Sequence, residues 1–262
     1  MLWNNIDVVR SFDTVHAVLG PCRNFCLRRI SYDNRIAFKG SIRFGATWTM
    51  AISPYMILYF IMVILVGAGD TEGIVSTLEF AGDAPLAFRA TVFLDGFFHA
   101  LFFVTVVTLF VVLRENFPIR ASLLLVCGAW QMLFGFSKGL ISAYVFPQLG
   151  EAYLAADTVL RSALIPTAGA MDGLRNALQW MDSLGVLFVW ALVLLLPQSV
   201  GLSRSVRWLG WVMVVGILFP GPGFLLVILL SPPWLFLLGR WMKKLGSTIE
   251  RVNFNKSRDE IR

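Results

Sequence analysis

Histidine and cysteine are scarce in this chain of 262 residues, which has two of the first and three of the second. A haem held between helices usually needs paired histidines, and His16 lies outside every apolar segment, so a bis-histidine haem is disfavoured. Cys22, Cys26 and Cys127 have neither the pattern of a disulfide framework nor that of a zinc site. The sequence therefore indicates no metal site and identifies no cofactor.

Sequence motifs of the common enzyme classes are also missing. The chain has no P-loop, dinucleotide fingerprint, nucleophile elbow or HExxH motif, and no serine–histidine protease constellation. We therefore predict no catalytic residue, and the leading hypothesis is a non-enzymatic protein.

Charged residues make up only 15% of the chain, against about 25% in a soluble domain, while 57% of the residues are hydrophobic. The apolar residues fall into several blocks that are long enough to cross a bilayer. The net charge of +6 comes from basic residues at the two ends and in short connectors, so nucleic acid is not an expected partner. These features predict an all-α polytopic membrane protein with the lipid bilayer as its partner.

Six transmembrane helices are predicted within residues 44–242. Pro220-Gly221-Pro222-Gly223 is a strong turn signal that divides the last apolar tract into a hairpin of two short helices, or alternatively a re-entrant hairpin. Residues 67–86 are predicted to be a loop. The six predicted spans are about 44–66, 87–113, 121–146, 178–196, 208–219 and 224–242.

Two interfacial helices flank these spans in the prediction. Residues 1–43 form an N-terminal segment in which apolar residues recur at helical spacing from Ile6 to Leu19, followed by a basic connector that ends at Arg43. A second amphipathic helix is predicted within 147–178, ended by Pro166 and the small residues after it. Residues 243–262 form a basic tail.

The distribution of Lys and Arg predicts the orientation of the chain. Segments 1–43 and 240–262 hold seven such residues each, whereas loops 67–86 and 147–176 hold only Arg161 and Arg175. Because basic loops stay on the cytoplasmic side, both termini are predicted to be cytoplasmic, in a multi-pass protein of the cell inner membrane.

Five ionisable residues fall within the predicted spans or at their outer ends: Arg89, Asp95, His99, Lys138 and Asp182. Asp95 and His99 are four residues apart and share one helix face. Asp95 and Lys138 both lie roughly 12 Å below the outer edge, and His99 roughly 18 Å below it. Since a short connector makes the second and third spans antiparallel neighbours, we predict an Asp95–Lys138 ion pair. His99 then lies one turn deeper, and Asp182 or Arg89 closes the network nearer the surface.

Three interpretations of this polar set stay open on sequence alone. A buried ion pair can simply lock two helices together, or the set can form a site for a substrate, an ion or a proton. Lys138 and Arg89 could instead extend to the outer headgroups. Gly135, Gly139 and Ser142 form a track of small residues on the third span, which is typical of close helix packing.

The second half of the chain, about 101–242, has a recognisable order of segments. A mid-chain loop precedes the span LGVLFVWALVLLLP, and a short basic connector leads to SVRWLGWVMVVGILF, a Gly/Pro break and a last apolar helix ending in GRWM. This order resembles an uncharacterised family of bacterial multi-helix membrane proteins, classed as a domain of unknown function. The resemblance implies the six-span architecture and no activity, because none is assigned to that family.

Three classes of function follow. The leading hypothesis is a protein that binds a hydrophobic or lipid-like ligand, or serves as an accessory subunit of a membrane complex or homo-oligomer. The first alternative is a secondary transporter or channel that uses Asp95, His99 and Lys138, for which we expect a water-accessible cavity that reaches Asp95. The second is a membrane-embedded enzyme acting on a lipid or quinone, which needs His99 in a pocket beside a second acid or base.

Overall fold

The computed structural model describes residues 22–66, 73–114, 116–197, 200–219 and 222–259, with side-chain environments over 40–66, 73–114, 116–197, 200–219 and 226–245. Helices are the only regular elements longer than a turn in these ranges. The chain divides into two units, Met1–Ser41 and Ile42–Arg262, and everything below concerns the second. The seven described helices are α1 (Cys22–Val66), α2 (Gly73–Asp83), α3 (Pro85–Leu113), α4 (Pro118–Ala155), α5 (Thr158–Leu194), α6 (Arg204–Leu218) and α7 (Pro222–Asp259).

Five of the described helices contain segments long and apolar enough to cross a membrane. The all-helical, multi-pass class predicted from composition is therefore supported. The sixth predicted span corresponds to α6, whose 15 residues reach only about 22 Å, less than the ~30 Å of a hydrocarbon core. The five segments are Gly40–Leu65, Pro85–Leu113, Pro118–Ala155, Thr158–Leu194 and Leu226–Leu245.

The connection before α3 is not the loop that the acidic residues suggested. Residues Gly73–Asp83 form α2, which buries Thr77, Leu78 and Ala81. The spacing of Ile74, Leu78 and Ala81 places three apolar residues on one helix face, and Leu78 packs against Tyr153 of α4 and Ala168 of α5. The loop prediction was wrong because acidic side chains on the opposite face masked this pattern.

The predicted end of an interfacial helix at Pro166 was also wrong. Helix α5 starts after Asp157, whose side chain accepts a hydrogen bond from Leu160 N at 2.8 Å, and it runs through Pro166 to Leu194. A proline removes one helical hydrogen bond, but packing of the flanking residues Ile165 and Ala168 against α2 and α4 opposes a break. The predicted basic connector is helical from Cys22 onward, and the predicted helix over 6–19 lies outside the described residues.

Helices α3 and α4 approach closely where two glycines meet. A Cβ atom added to Gly139 would lie 2.7 Å from the Cα atom of Gly96, so only residues without a side chain fit at this crossing. On the other side of α3, the Tyr55 hydroxyl of α1 donates to Leu94 O at 2.6 Å and the Trp48 indole donates to Leu101 O at 3.0 Å. Helix α3 is thus held between α1 and α4.

Helices α6 and α7 pack against each other on either side of the break at the predicted Gly/Pro turn. The Trp234 indole of α7 donates to Val206 O of α6 at 3.0 Å. The guanidinium of Arg207 donates to the carbonyl oxygens of Leu194, Leu196 and Pro197, at 2.8, 2.7 and 3.2 Å. Because the last carbonyls of a helix lack partners within the helix, Arg207 joins α6 to the end of α5.

We expect Arg207→Met to lower the free energy of unfolding by about 2 kcal/mol, since three carbonyl groups lose a charged donor. Unfolding in detergent micelles by added denaturing surfactant measures the change. Arg204→Met is the matched control, because Arg204 is exposed in the first turn of the same helix. Equal effects of the two substitutions would contradict the role given to Arg207.

Candidate functional site

The predicted ion pair between the second and third spans is confirmed. Lys138 Nζ of α4 lies 2.5 Å from Asp95 Oδ2 of α3, and the Lys138 side chain is only 8% exposed. Lys138 also donates to Gln179 Oε1 of α5 at 2.6 Å, and Gln179 Nε2 donates to Ser183 Oγ at 3.3 Å. On the other side, the Tyr59 hydroxyl of α1 donates to the Asp95 carboxylate. The pair therefore belongs to a polar network that joins four helices.

A second polar group lies one helical turn deeper along α3. His99 Nδ1 is 3.1 Å from Asp182 Oδ1 of α5 and 2.8 Å from Gln131 Nε2 of α4. The side chains of His99 and Asp182 are 6% and 4% exposed. Of the two residues proposed to complete the network, Asp182 belongs to it. Its contact is with the deeper residue His99, and not nearer the surface as expected.

The buried carboxylate determines which His99 nitrogen carries the proton. An unprotonated Nδ1 would direct a lone pair at an oxygen of Asp182, and a buried carboxylate without a donor is costly. A proton on Nδ1 instead gives an N–H···O bond to Asp182 and leaves Nε2 of the neutral ring as an acceptor. Asp182 therefore orients the imidazole, and Nε2 is available for a further partner.

Both polar groups line one cavity of about 150 Å³. Its walls are aromatic and aliphatic over most of their area, and its polar groups come from α1, α3, α4, α5 and α7. The polar lining residues are Tyr59, Asp95, His99, Gln131, Lys138, Gln179, Asp182, Ser183 and Ser231. The apolar lining residues are Met56, Phe60, Phe98, Phe102, Val186, Trp190, Ile217, Val227, Ile228 and Leu235.

Several buried polar atoms of the cavity lining lack a hydrogen-bond partner among the described residues. They are His99 Nε2, Gln131 Oε1 and Trp190 Nε1. Turning the Gln131 amide over exchanges its two ends and still leaves one of them unpaired. Because an unpaired buried polar group costs about 1–3 kcal/mol, a cavity with three of them is built to be filled.

Close helix packing positions the charged residues. Gly96 and Gly139, which meet at the crossing of α3 and α4, directly follow Asp95 and Lys138 in the sequence. A Cβ atom on Gly135 would lie 2.6 Å from His99 Nδ1, so the imidazole lies directly over this glycine. The packing role predicted for the small-residue track is confirmed, and it brings the ion pair together.

The structure separates one predicted residue from the site and adds others to it. Arg89 is exposed and is absent from the cavity lining, because the six residues between Arg89 and Asp95 turn the helix by roughly 240°. Gln131 precedes Lys138 by seven residues, and Gln179 precedes Asp182 by three, so helical spacing could have placed both in the site. Tyr59 and Trp190 gave no such signal, since aromatic residues are common in apolar spans.

Metal-binding groups do not cluster in the described part of the chain, where no three His, Cys, Asp or Glu residues come together. Comparisons with models of protein families, with curated proteins and with solved structures find no match to this chain. The resemblance of 101–242 to an uncharacterised membrane-protein family stays a prediction. The argument for function therefore rests on the geometry of the cavity.

Proposed function

We propose that the protein is a non-enzymatic multi-pass membrane protein that binds a lipid-like ligand in the cavity between its helices. One observation carries the proposal: a cavity of about 150 Å³ has apolar walls and, at one side, buried polar atoms without partners. Ligand sites are typically concave and mostly apolar, with a few convergent polar groups that fix orientation. An accessory subunit without a ligand has no need for such a cavity.

The charges of the network support a site as well as a lock. A lock between two helices needs only the Asp95–Lys138 pair, but the network continues through His99 and Asp182 to a second buried ionisable pair. Buried ionisable groups cost folding free energy, and inside a membrane they commonly mark ligand, ion or proton sites.

The membrane arrangement that we propose has six crossings in the cytoplasmic membrane. Five are the long apolar helices, and the sixth is α6, which is short and packs against α7. An even number of crossings places both basic termini on one side, and the positive-inside rule makes that side cytoplasmic. The cavity-lining charges Asp95 and Lys138 then lie in the outer half of the bilayer.

Proton-coupled transport is the second candidate function. Asp95 is 28% exposed while its partner Lys138 is 8% exposed, so the carboxylate is the more accessible member of the pair. Proton relays in transporters are built from such Asp, Glu and His chains. For this candidate, Asp95→Asn should leave folding unchanged and abolish proton-coupled uptake into vesicles.

A cavity-filling substitution tests ligand binding. Val186 lines the cavity on α5, and Val186→Phe should fill it without removing any group of the polar network. We expect native mass spectrometry to find a small lipophilic ligand on the wild-type protein purified in mild detergent, with at least about tenfold lower occupancy in Val186→Phe. Leu184→Phe is the control, because Leu184 is 44% exposed on the same helix. Equal occupancy in all three proteins would contradict the proposal.

A further inference from the structure

The unpaired atoms of the cavity specify more than a generic hydrophobic ligand, and this step rests on the proposed function. Trp190 Nε1 can only donate a hydrogen bond, so it requires an acceptor on the ligand. His99 Nε2 is an acceptor when Nδ1 donates to Asp182, so it requires a donor on the ligand. One hydroxyl group supplies both, because its hydrogen donates while its oxygen accepts.

The size of the cavity limits what carries this hydroxyl. A cavity of about 150 Å³ in a protein core is known to accommodate benzene. Phe98, Phe102 and Trp190 line the walls, and aromatic side chains favour stacked or edge-to-face contact with another ring. The cavity therefore matches one six-membered ring.

We infer that the cavity binds the head of a membrane-soluble phenol, whose hydroxyl donates to His99 Nε2 and accepts from the indole N–H of Trp190. Asp182 is a positioning residue in this arrangement, since its contact with Nδ1 keeps Nε2 free to accept. The hydrocarbon substituent of such a ligand contacts the aliphatic wall, which includes Ile217, Val227 and Leu235. No bond is made or broken in this step.

Three probes of similar size separate the hydroxyl from the ring. They are 4-butylphenol, its methyl ether 4-butylanisole, which keeps the oxygen but loses the donor, and butylbenzene, which has neither. Titration calorimetry on the full chain in nanodiscs, with empty nanodiscs as the blank, measures their affinities. We expect 4-butylphenol to bind about tenfold more tightly than 4-butylanisole, because the ether leaves His99 Nε2 unpaired.

Substitution of the donor gives a second, independent readout. Trp190→Phe keeps an aromatic ring but removes the N–H, so it should weaken binding of 4-butylphenol and 4-butylanisole by about tenfold and leave butylbenzene unchanged. Trp180→Phe is the matched control, because Trp180 is 60% exposed on the same helix and lies outside the cavity lining. The comparison of probes on the wild-type protein stays decisive even where a variant fails to fold.

The outcomes distinguish this inference from the proposed function on which it rests. Equal affinities for 4-butylphenol and 4-butylanisole overturn the assignment of a phenolic head, as does an unchanged affinity for 4-butylphenol in Trp190→Phe. In either case, binding of butylbenzene that Val186→Phe abolishes leaves the cavity as a ligand site. If Val186→Phe weakens the binding of no probe, both the phenolic head and the proposed function are overturned.

Discussion

Replacing Lys138 by methionine is expected to lower the free energy of unfolding by about 2–3 kcal/mol, because the Asp95 carboxylate then stays in the bundle without its cation. Gln179 Oε1 loses its donor in the same step. The expected loss lies at or below the lower end for buried pairs, since Asp95 is 28% exposed and water screens part of the charge. Unfolding by a denaturing surfactant in mixed micelles measures the change.

A double variant distinguishes the loss of a pair from the loss of packing. In Asp95→Asn/Lys138→Met no charge stays unpaired, and the Tyr59 hydroxyl can still donate to the amide oxygen, so we expect most of the stability to return. Arg89→Met removes an exposed cation from the same helix as Asp95 and should change stability by no more than about 0.5 kcal/mol. A double variant as unstable as Lys138→Met would show that the lysine acts through packing alone.

Leucine at position 139 is expected to cost at least about 3 kcal/mol and to weaken ligand binding together with stability. Its Cβ atom alone would lie 2.7 Å from Gly96 Cα, so the backbones of α3 and α4 must move apart. That movement also separates Asp95 from Lys138, which directly precede the two glycines in the sequence. The measurements are surfactant-induced unfolding and the ligand occupancy found by native mass spectrometry.

Gly169→Leu is the control for helix propensity at a glycine. Nothing lies within 4 Å of a Cβ atom added to Gly169 in α5, so leucine should stabilise that helix by a few tenths of a kcal/mol to about 1 kcal/mol. If Gly139→Leu folds as stably as the wild-type protein, the close crossing of α3 and α4 is not required for the site.

The sequence predicted the ion pair because two simple quantities coincided. Asp95 and Lys138 lie at equal depth, and a short connector makes their helices neighbours, so the pair at 2.5 Å follows from helix rise and topology alone. The angle around the helix was not applied to Arg89, which explains why that residue was included although it points elsewhere. Gln131 could have been found with the same geometry.

Other features depended on tertiary packing that no local pattern reveals. Pro166 is a helix-ending signal in isolation, yet α5 continues through it where Ile165 and Ala168 pack on neighbouring helices. The acidic segment 67–86 contains α2 because Leu78 and Ala81 bury against α3, α4 and α5. Trp190 became part of the site only when the fold placed its indole in the cavity wall.

The central claim is that the cavity beside His99 holds a ligand and is more than a by-product of a helix lock. An electron cryomicroscopy structure of the protein purified from its own membranes into nanodiscs tests this most directly. We predict density for one ring in the cavity, within hydrogen-bond distance of His99 Nε2 and Trp190 Nε1. A cavity that is collapsed, or that holds ordered water alone, would contradict the claim and leave the Asp95–Lys138 pair as a structural lock.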